Sequence, residues 1–130
     1  MKKKPKILIV KSRFNYSSKL VKSAEKELNR NKISIKSLLV NGAFEIPVAI
    51  SKNIKLYDGF IAIGIIIKGK TPNFNFISQA ITNGIMNLSI LHKKPIGNAI
   101  LTCLNASQIE KRLQKGKEAV EAVIDVLDPK

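Results

Sequence analysis

The run Phe60-Ile61-Ala62-Ile63-Gly64-Ile65-Ile66-Ile67 has no polar break, and it constrains the fold more than any other feature. A strand with one wet face alternates apolar and polar residues. An unbroken run of this length fits a central parallel strand covered on both faces. Three further segments of strand character lie at residues 6–11, 33–40 and 98–103. The stretches between them carry helical spacing. Leu20, Val21, Ala24 and Leu28 predict a helix over residues 17–31. Residues 45–54 return to helix, with Pro47 tolerable only in the first turn. Phe74, Ile77, Ile81, Ile85 and Leu88 form one apolar stripe running to His92. Thr71 is read as the N-cap of that helix and Pro72 as its first helical residue. Two helices, residues 107–114 and 117–127, finish the chain, with Gly116 as the break between them. The alternation predicts an α/β fold, a single-domain three-layer α/β/α arrangement of residues 1–130 around a four-stranded parallel sheet with right-handed crossovers.

Composition narrows the function classes. With 130 residues and 45% hydrophobic content, the chain can bury a core of its own and is not of disordered type. A single cysteine, Cys103, excludes an internal disulfide and fits a reducing compartment. One Cys and one His, His92, leave no metal-ligand cluster, so no metal is expected. The N-terminus reads Met1-Lys2-Lys3-Lys4-Pro5-Lys6, but the apolar run behind it stops at Lys11 after four residues. An export segment needs about 7–15 such residues and a membrane span about 20. A cytoplasmic protein without a membrane partner is expected. The net charge of +14 raises the question of nucleic acid. Almost all of that charge is lysine, arginine occurring only at Arg13, Arg30 and Arg112. The lysines are scattered and rarely alternate with aromatics, so no stacking platform forms. Solvated lysine faces are the simpler account, and no nucleic-acid partner is expected.

In parallel α/β sheets, ligands sit outside the carboxyl ends of the strands. Three unusual segments fall there: Ser12-Arg13-Phe14-Asn15, Asn41-Gly42-Ala43-Phe44-Glu45 and Lys68-Gly69-Lys70-Thr71. The last combines a glycine turn, a helix start and two lysines. That suits either an anion, held by free N–H groups and the helix dipole, or an ordinary strand-to-helix loop. Phe14 in a polar loop can stack on a flat heterocycle or cover the edge of the core. Glu45 at a helix start can compensate the dipole or accept hydrogen bonds from a polyol. Taken singly, none of these decides.

Together they do. Ser12-Arg13-Phe14-Asn15, Gly42-Ala43-Phe44-Glu45-Ile46-Pro47, Gly69-Lys70-Thr71-Pro72, Gly97-Asn98-Ala99-Ile100-Leu101-Thr102 and Lys115-Gly116-Lys117-Glu118-Ala119 follow one another in this order. In type and spacing they resemble the 6,7-dimethyl-8-ribityllumazine synthase family along the whole chain. The resemblance implies a flavodoxin-like strand order and condensation of 5-amino-6-(D-ribitylamino)uracil with 3,4-dihydroxy-2-butanone 4-phosphate, a step of riboflavin biosynthesis that uses no cofactor. It also implies a homo-oligomer, a pentamer or a multiple of one, with sites between subunits. Carried over residue by residue, it assigns Phe14 to stack on the pyrimidine and Ala43, Phe44 and Glu45 to hold the ribityl chain. Backbone groups of Ile65, Ile66 and Ile67 would meet the ring edge, Lys115 would reach a ring carbonyl, and Asn98 would line the pocket of a neighbouring subunit. Lys70, Thr71 and Arg112 would hold the phosphate.

The chain departs from the family pattern at its proton-transfer position. Asn73 stands where the family has a histidine, and an amide can hydrogen-bond but does not titrate near neutral pH. Lys70 replaces an acidic or small residue, Lys68 an arginine, and Leu104 stands where an acidic residue is common. The linker between Arg112 and Gly116 is shorter than in most relatives. The resemblance therefore implies a synthase with Asn73 at its catalytic position and reduced general acid–base catalysis. The alternative is a homologue that keeps the fold and assembly but has lost the reaction.

Overall fold

The computed structural model describes residues 3–13, 17–69 and 72–129. Four strands, β1 (Ile7–Ser12), β2 (Lys36–Val40), β3 (Gly59–Ile67) and β4 (Ile96–Cys103), form one sheet in the order β2-β1-β3-β4. All the pairings are parallel. The helices are α1 (Ser18–Arg30), α2 (Ile46–Asn53), α3 (Asn73–His92), a one-turn α4 (Ser107–Glu110) and α5 (Lys115–Leu127). A 3-10 turn, Ala43–Glu45, leads directly into α2.

Strand alternation sorts the side chains into two cores, one on each face of the sheet. Ile7 and Ile9 of β1, Ile61, Ile63 and Ile65 of β3, and Ala99, Leu101 and Cys103 of β4 pack against α1 and α5. Leu8, Val10, Phe60, Ala62 and Ile100 face the other way, against α2 and α3. Every residue of β3 from Gly59 to Ile65 is buried. The unbroken apolar run is thus the centre of a three-layer sandwich, and the expected α/β/α architecture is the observed one.

Several boundaries differ from the sequence reading. Strand β2 begins at Lys36, whereas Ile33 is a buried loop residue carrying the chain out of α1. The chain leaves that helix through Lys32 at φ 58°, a left-handed conformation that ends helical pairing. Helix α3 starts at Asn73, so Pro72, at φ −70° and ψ 0°, precedes it and is not its first residue; Thr71 lies outside the described residues. Helix α4 stops at Glu110, well short of the expected residue 114.

Gly116 does not break a helix; it is the second residue of α5. Its role is close approach. A Cβ at this position would overlap the Leu20 carbonyl oxygen of α1 and come within 3.0 Å of the Ala24 amide nitrogen. The Lys117 amide N–H donates to Ser23 Oγ at 3.0 Å across the same junction. Because the obstructing atoms are backbone, a methyl group can be accommodated only if the two helices separate. Gly116→Ala is expected to cost about 1–3 kcal/mol through this overpacking, read as a melting temperature several degrees lower by circular dichroism.

Candidate functional site

Pairing of β1 with β3 ends at Lys11 opposite Ile63, whereas pairing of β3 with β4 continues to Ile67 opposite Cys103. Beyond Ile63 the flank of β3 that faces β1 therefore has no strand in register with it. The Lys68 N–H points towards β4, donating to the Cys103 carbonyl at 2.9 Å. Alternation then turns the backbone groups of Ile67 into the gap. The chain leaves β1 to one side for β2 and later returns to the other side as β3, so this gap is the topological switch point of the sheet.

Three chain segments border it. Ser12 ends β1, is only 4% exposed, and lies so close to β3 that a Cβ on Gly64 would sit 2.9 Å from its Oγ. The phase of β1 turns Ser12 to the same face as Leu8 and Val10, towards α2. Ala43 packs against that core from the 3-10 turn, while Phe44 is 62% exposed beside it. The half-buried Glu45 curls back over Gly42, where a Cβ would lie 3.1 Å from Oε1. The turn thus carries one exposed aromatic and one carboxylate, and the carboxylate lines a cleft beside β2. Lys68 and Gly69 leave β3 exposed on the opposite lip.

The remaining candidates are dispersed within one chain. Arg112 lies on the α1/α5 side, and its Nη1 donates to the Thr102 carbonyl at 3.0 Å, which ties it to the carboxyl end of β4 beside Ile66. Lys115 is the first residue of α5, half-buried, next to the Gly116 contact with α1. Asn73 is an exposed first residue of α3. Asn98 is opposite Ala62, four residues before Thr102 on the edge strand, with its Oδ1 accepting the Ile100 N–H at 2.9 Å. At about 3.3 Å per residue it is more than 10 Å from the strand tips. Asn98 therefore does not join the cluster of its own chain. Phe14, Lys70 and Thr71 lie outside the described residues.

The side chains of Ile65 and Ile67 turn into the α1/α5 core, so these two residues offer the gap only backbone; Ile66 turns its side chain into the other core and its backbone groups to β4, so it does not join them. The concave surfaces at this end are correspondingly split. One cleft of 560 Å³ is lined by Val40, Asn41, Glu45, Val48 and Lys52 among others, and one of 420 Å³ by Ser12, Arg13, Ser17 and Lys22 among others. Ser12 and Asn41 were not singled out as site residues by sequence reasoning. The signal for Ser12 was present, as a polar residue in phase with two core positions of β1.

Comparison with known proteins decides the family. The sequence pattern of the 6,7-dimethyl-8-ribityllumazine synthase family matches residues 4–130. The chain belongs to this family. A 6,7-dimethyl-8-ribityllumazine synthase from Bartonella tribocorum is 37% identical over 134 residues, covering 95% of this chain and 89% of the relative. The synthase of the same name from Aliarcobacter butzleri is 34% identical over 140 residues, covering 98% and 90%. That of Sulfurimonas denitrificans is 36% identical over 135 residues, covering 95% and 88%. Among the described residues of this lumazine synthase family member, no helix is long and apolar enough to cross a membrane.

The Arg112 side-chain hydrogen bond to the Thr102 carbonyl is solvent-exposed and contributes little to the fold. Arg112→Ala is therefore expected to shift stability by no more than about 1 kcal/mol, checked by urea unfolding, so any larger functional loss belongs to the site.

Proposed function

We propose that this chain is a subunit of a homo-oligomeric lumazine synthase condensing 5-amino-6-(D-ribitylamino)uracil with 3,4-dihydroxy-2-butanone 4-phosphate in riboflavin biosynthesis. The observation that carries this reading is the uncovered flank of β3 at the switch point, bordered through Ala43 by the 3-10 turn that carries Phe44 and Glu45. A flat ring entering the gap meets backbone donors and acceptors at Ile67. A hydroxylated side chain meets the Glu45 carboxylate, which accepts its hydrogen bonds. The phosphate is assigned to Lys70, Thr71 and Arg112, where a planar guanidinium can bind two oxygens at once.

The reaction asks little nucleophile activation of the protein. The pyrimidine brings its own amine, which attacks the ketone carbonyl, and water leaves as the imine forms. Phosphate then leaves by elimination, the resulting enol becomes a second carbonyl, and the ribityl-bearing nitrogen closes the ring on it with loss of a second water. Holding amine and ketone together is worth up to about 7–11 kcal/mol in favourable cases. Phosphate serves as handle and leaving group, so a cationic pocket favours both binding and departure. Proton transfers are the weak step, because Asn73 cannot titrate. Loss of a general acid–base group costs typically about 10²–10⁴-fold in rate, so this synthase is slow. The same residue favours a second reading, a homologue that binds the pyrimidine and assembles without turnover.

Assembly has support in the apolar surface. Phe76, Met86, Ile90 and Leu91 of α3, Val48 of α2 and Leu38 and Leu39 of β2 are exposed. Where such side chains are contiguous they mark protein contacts. A pentamer or a multiple of one, with Asn98 reaching a neighbour's site, completes a pocket that one chain leaves divided. A cytoplasmic location belongs to the same reading.

Incubation of the protein with both substrates is expected to give lumazine absorbance at a low rate. A flat trace with intact pyrimidine binding would instead select the non-catalytic homologue. Asn73→His is expected to raise kcat by about tenfold or more and to add a pH-dependent limb near about 6.5; an unchanged rate in a folded variant removes Asn73 from the proton path. Arg112→Ala is expected to raise the KM of the butanone phosphate by tenfold or more while leaving pyrimidine affinity within twofold, measured by steady-state kinetics and titration calorimetry; here roughly 1.4 kcal/mol corresponds to each factor of ten.

A further inference from the structure

The amino ends of the strands carry a second feature, remote from the switch point. Lys3, Lys4 and Lys6 before β1, Lys55 after α2 and Lys94 before β4 converge on one cleft of 640 Å³. Two acidic residues, Asp58 and Asp128, share its lining. Asp58 is committed to the fold, because its Oδ2 accepts the Lys6 backbone N–H at 2.7 Å and its own N–H donates to the Lys6 carbonyl at 2.7 Å. Two of the lysines are fixed by carbonyls, which orient an ammonium without neutralising it. Lys4 Nζ donates to the Asn31 carbonyl at 3.0 Å and Lys94 Nζ to the Ile54 carbonyl at 2.5 Å.

Lysines from three separate parts of the chain therefore line one cleft that holds two carboxylates, with the Lys4 ammonium turned to its rim at Asn31. Such crowding of like charge opposes the compact state, and a dense anion relieves it. Lysine is a compact point charge suited to phosphate oxygens. Half-buried Tyr57, its ring held edge-on against Phe60 at 5.9 Å between centroids, and exposed Leu56 supply an apolar wall to the same cleft. We infer that this cleft binds a small, multiply charged phosphate anion, either a free polyphosphate chain or a nucleoside polyphosphate, independently of the site at the carboxyl ends.

Titration calorimetry of the intact protein with inorganic tripolyphosphate and with ATP tests this. Both are expected to bind, more weakly as salt is raised and the screening length shortens. Equal affinities assign the cleft to the phosphate chain alone, and tighter ATP binding assigns it to a nucleotide lying on the Tyr57 wall. The double variant Lys6→Gln, Lys55→Gln leaves every backbone bond of Asp58 in place and is expected to lose at least tenfold in affinity with an unchanged far-ultraviolet spectrum. Arg112→Ala is expected to retain full affinity. The assignment is overturned if neither anion binds, if the double variant binds as tightly as the parent, if Arg112→Ala abolishes binding, or if duplex DNA binds while tripolyphosphate does not.

Discussion

Burial of β3 on both faces is the constraint from which the other elements take their positions. Its successive side chains point to opposite sides, so each face must be covered by helices before either core is dry. Each fully buried isoleucine or phenylalanine contributes about 1.5–3 kcal/mol of transfer free energy, and β3 supplies Phe60, Ile61 and Ile63 to this total. The α1/α5 pair covers one side and α2 with α3 the other. Once β3 is central, β1 and β4 can only lie beside it. The crossover from β1 through α1 to β2 then sends that strand to the far edge, which opens the switch point between β1 and β3.

That same arrangement sets the candidate residues of one chain apart. The turn carrying Phe44 and Glu45 packs on the α2/α3 side through Ala43, whereas Arg112 and Lys115 lie next to Leu113 on the α1/α5 side, with the sheet between them. Asn98 lies on an edge strand too far back to contribute to its own tip. A ligand spanning ring and phosphate would have to bridge elements that a solitary subunit holds apart, and the exposed apolar side chains of α3 and β2 offer the means of bringing a neighbour to that gap.

Those parts of the fold whose pattern reflects burial were legible in the sequence. The run at residues 60–67 and the stripe Phe74, Ile77, Ile81, Ile85, Leu88 each encode which neighbours they touch, and both elements stand where expected. Boundaries set by backbone geometry were not. Nothing in the type of Lys32 announces a left-handed residue, so the strand was read from Ile33 although pairing starts at Lys36. Gly116 was read as a break because close helix approach and helix termination use the same residue. At the site, motif order carried the family, whereas the burial of Ser12 against Gly64 depends on the register of β1 and β3, which no local pattern specifies.

Strand β2 pairs with β1 along one side only, and its Lys36, Ser37, Leu38 and Leu39 are exposed. Its outer row of N–H and C=O groups is a template that any extended chain could extend. A newly made chain with that open border and exposed apolar side chains on its helices is therefore adhesive. The charge of +14 counters this at range, since like-charged chains repel before short-range contacts can form. Lysine excess thus works as a brake on indiscriminate sticking, released only where two surfaces match closely enough to outweigh it, and added electrolyte should loosen that brake.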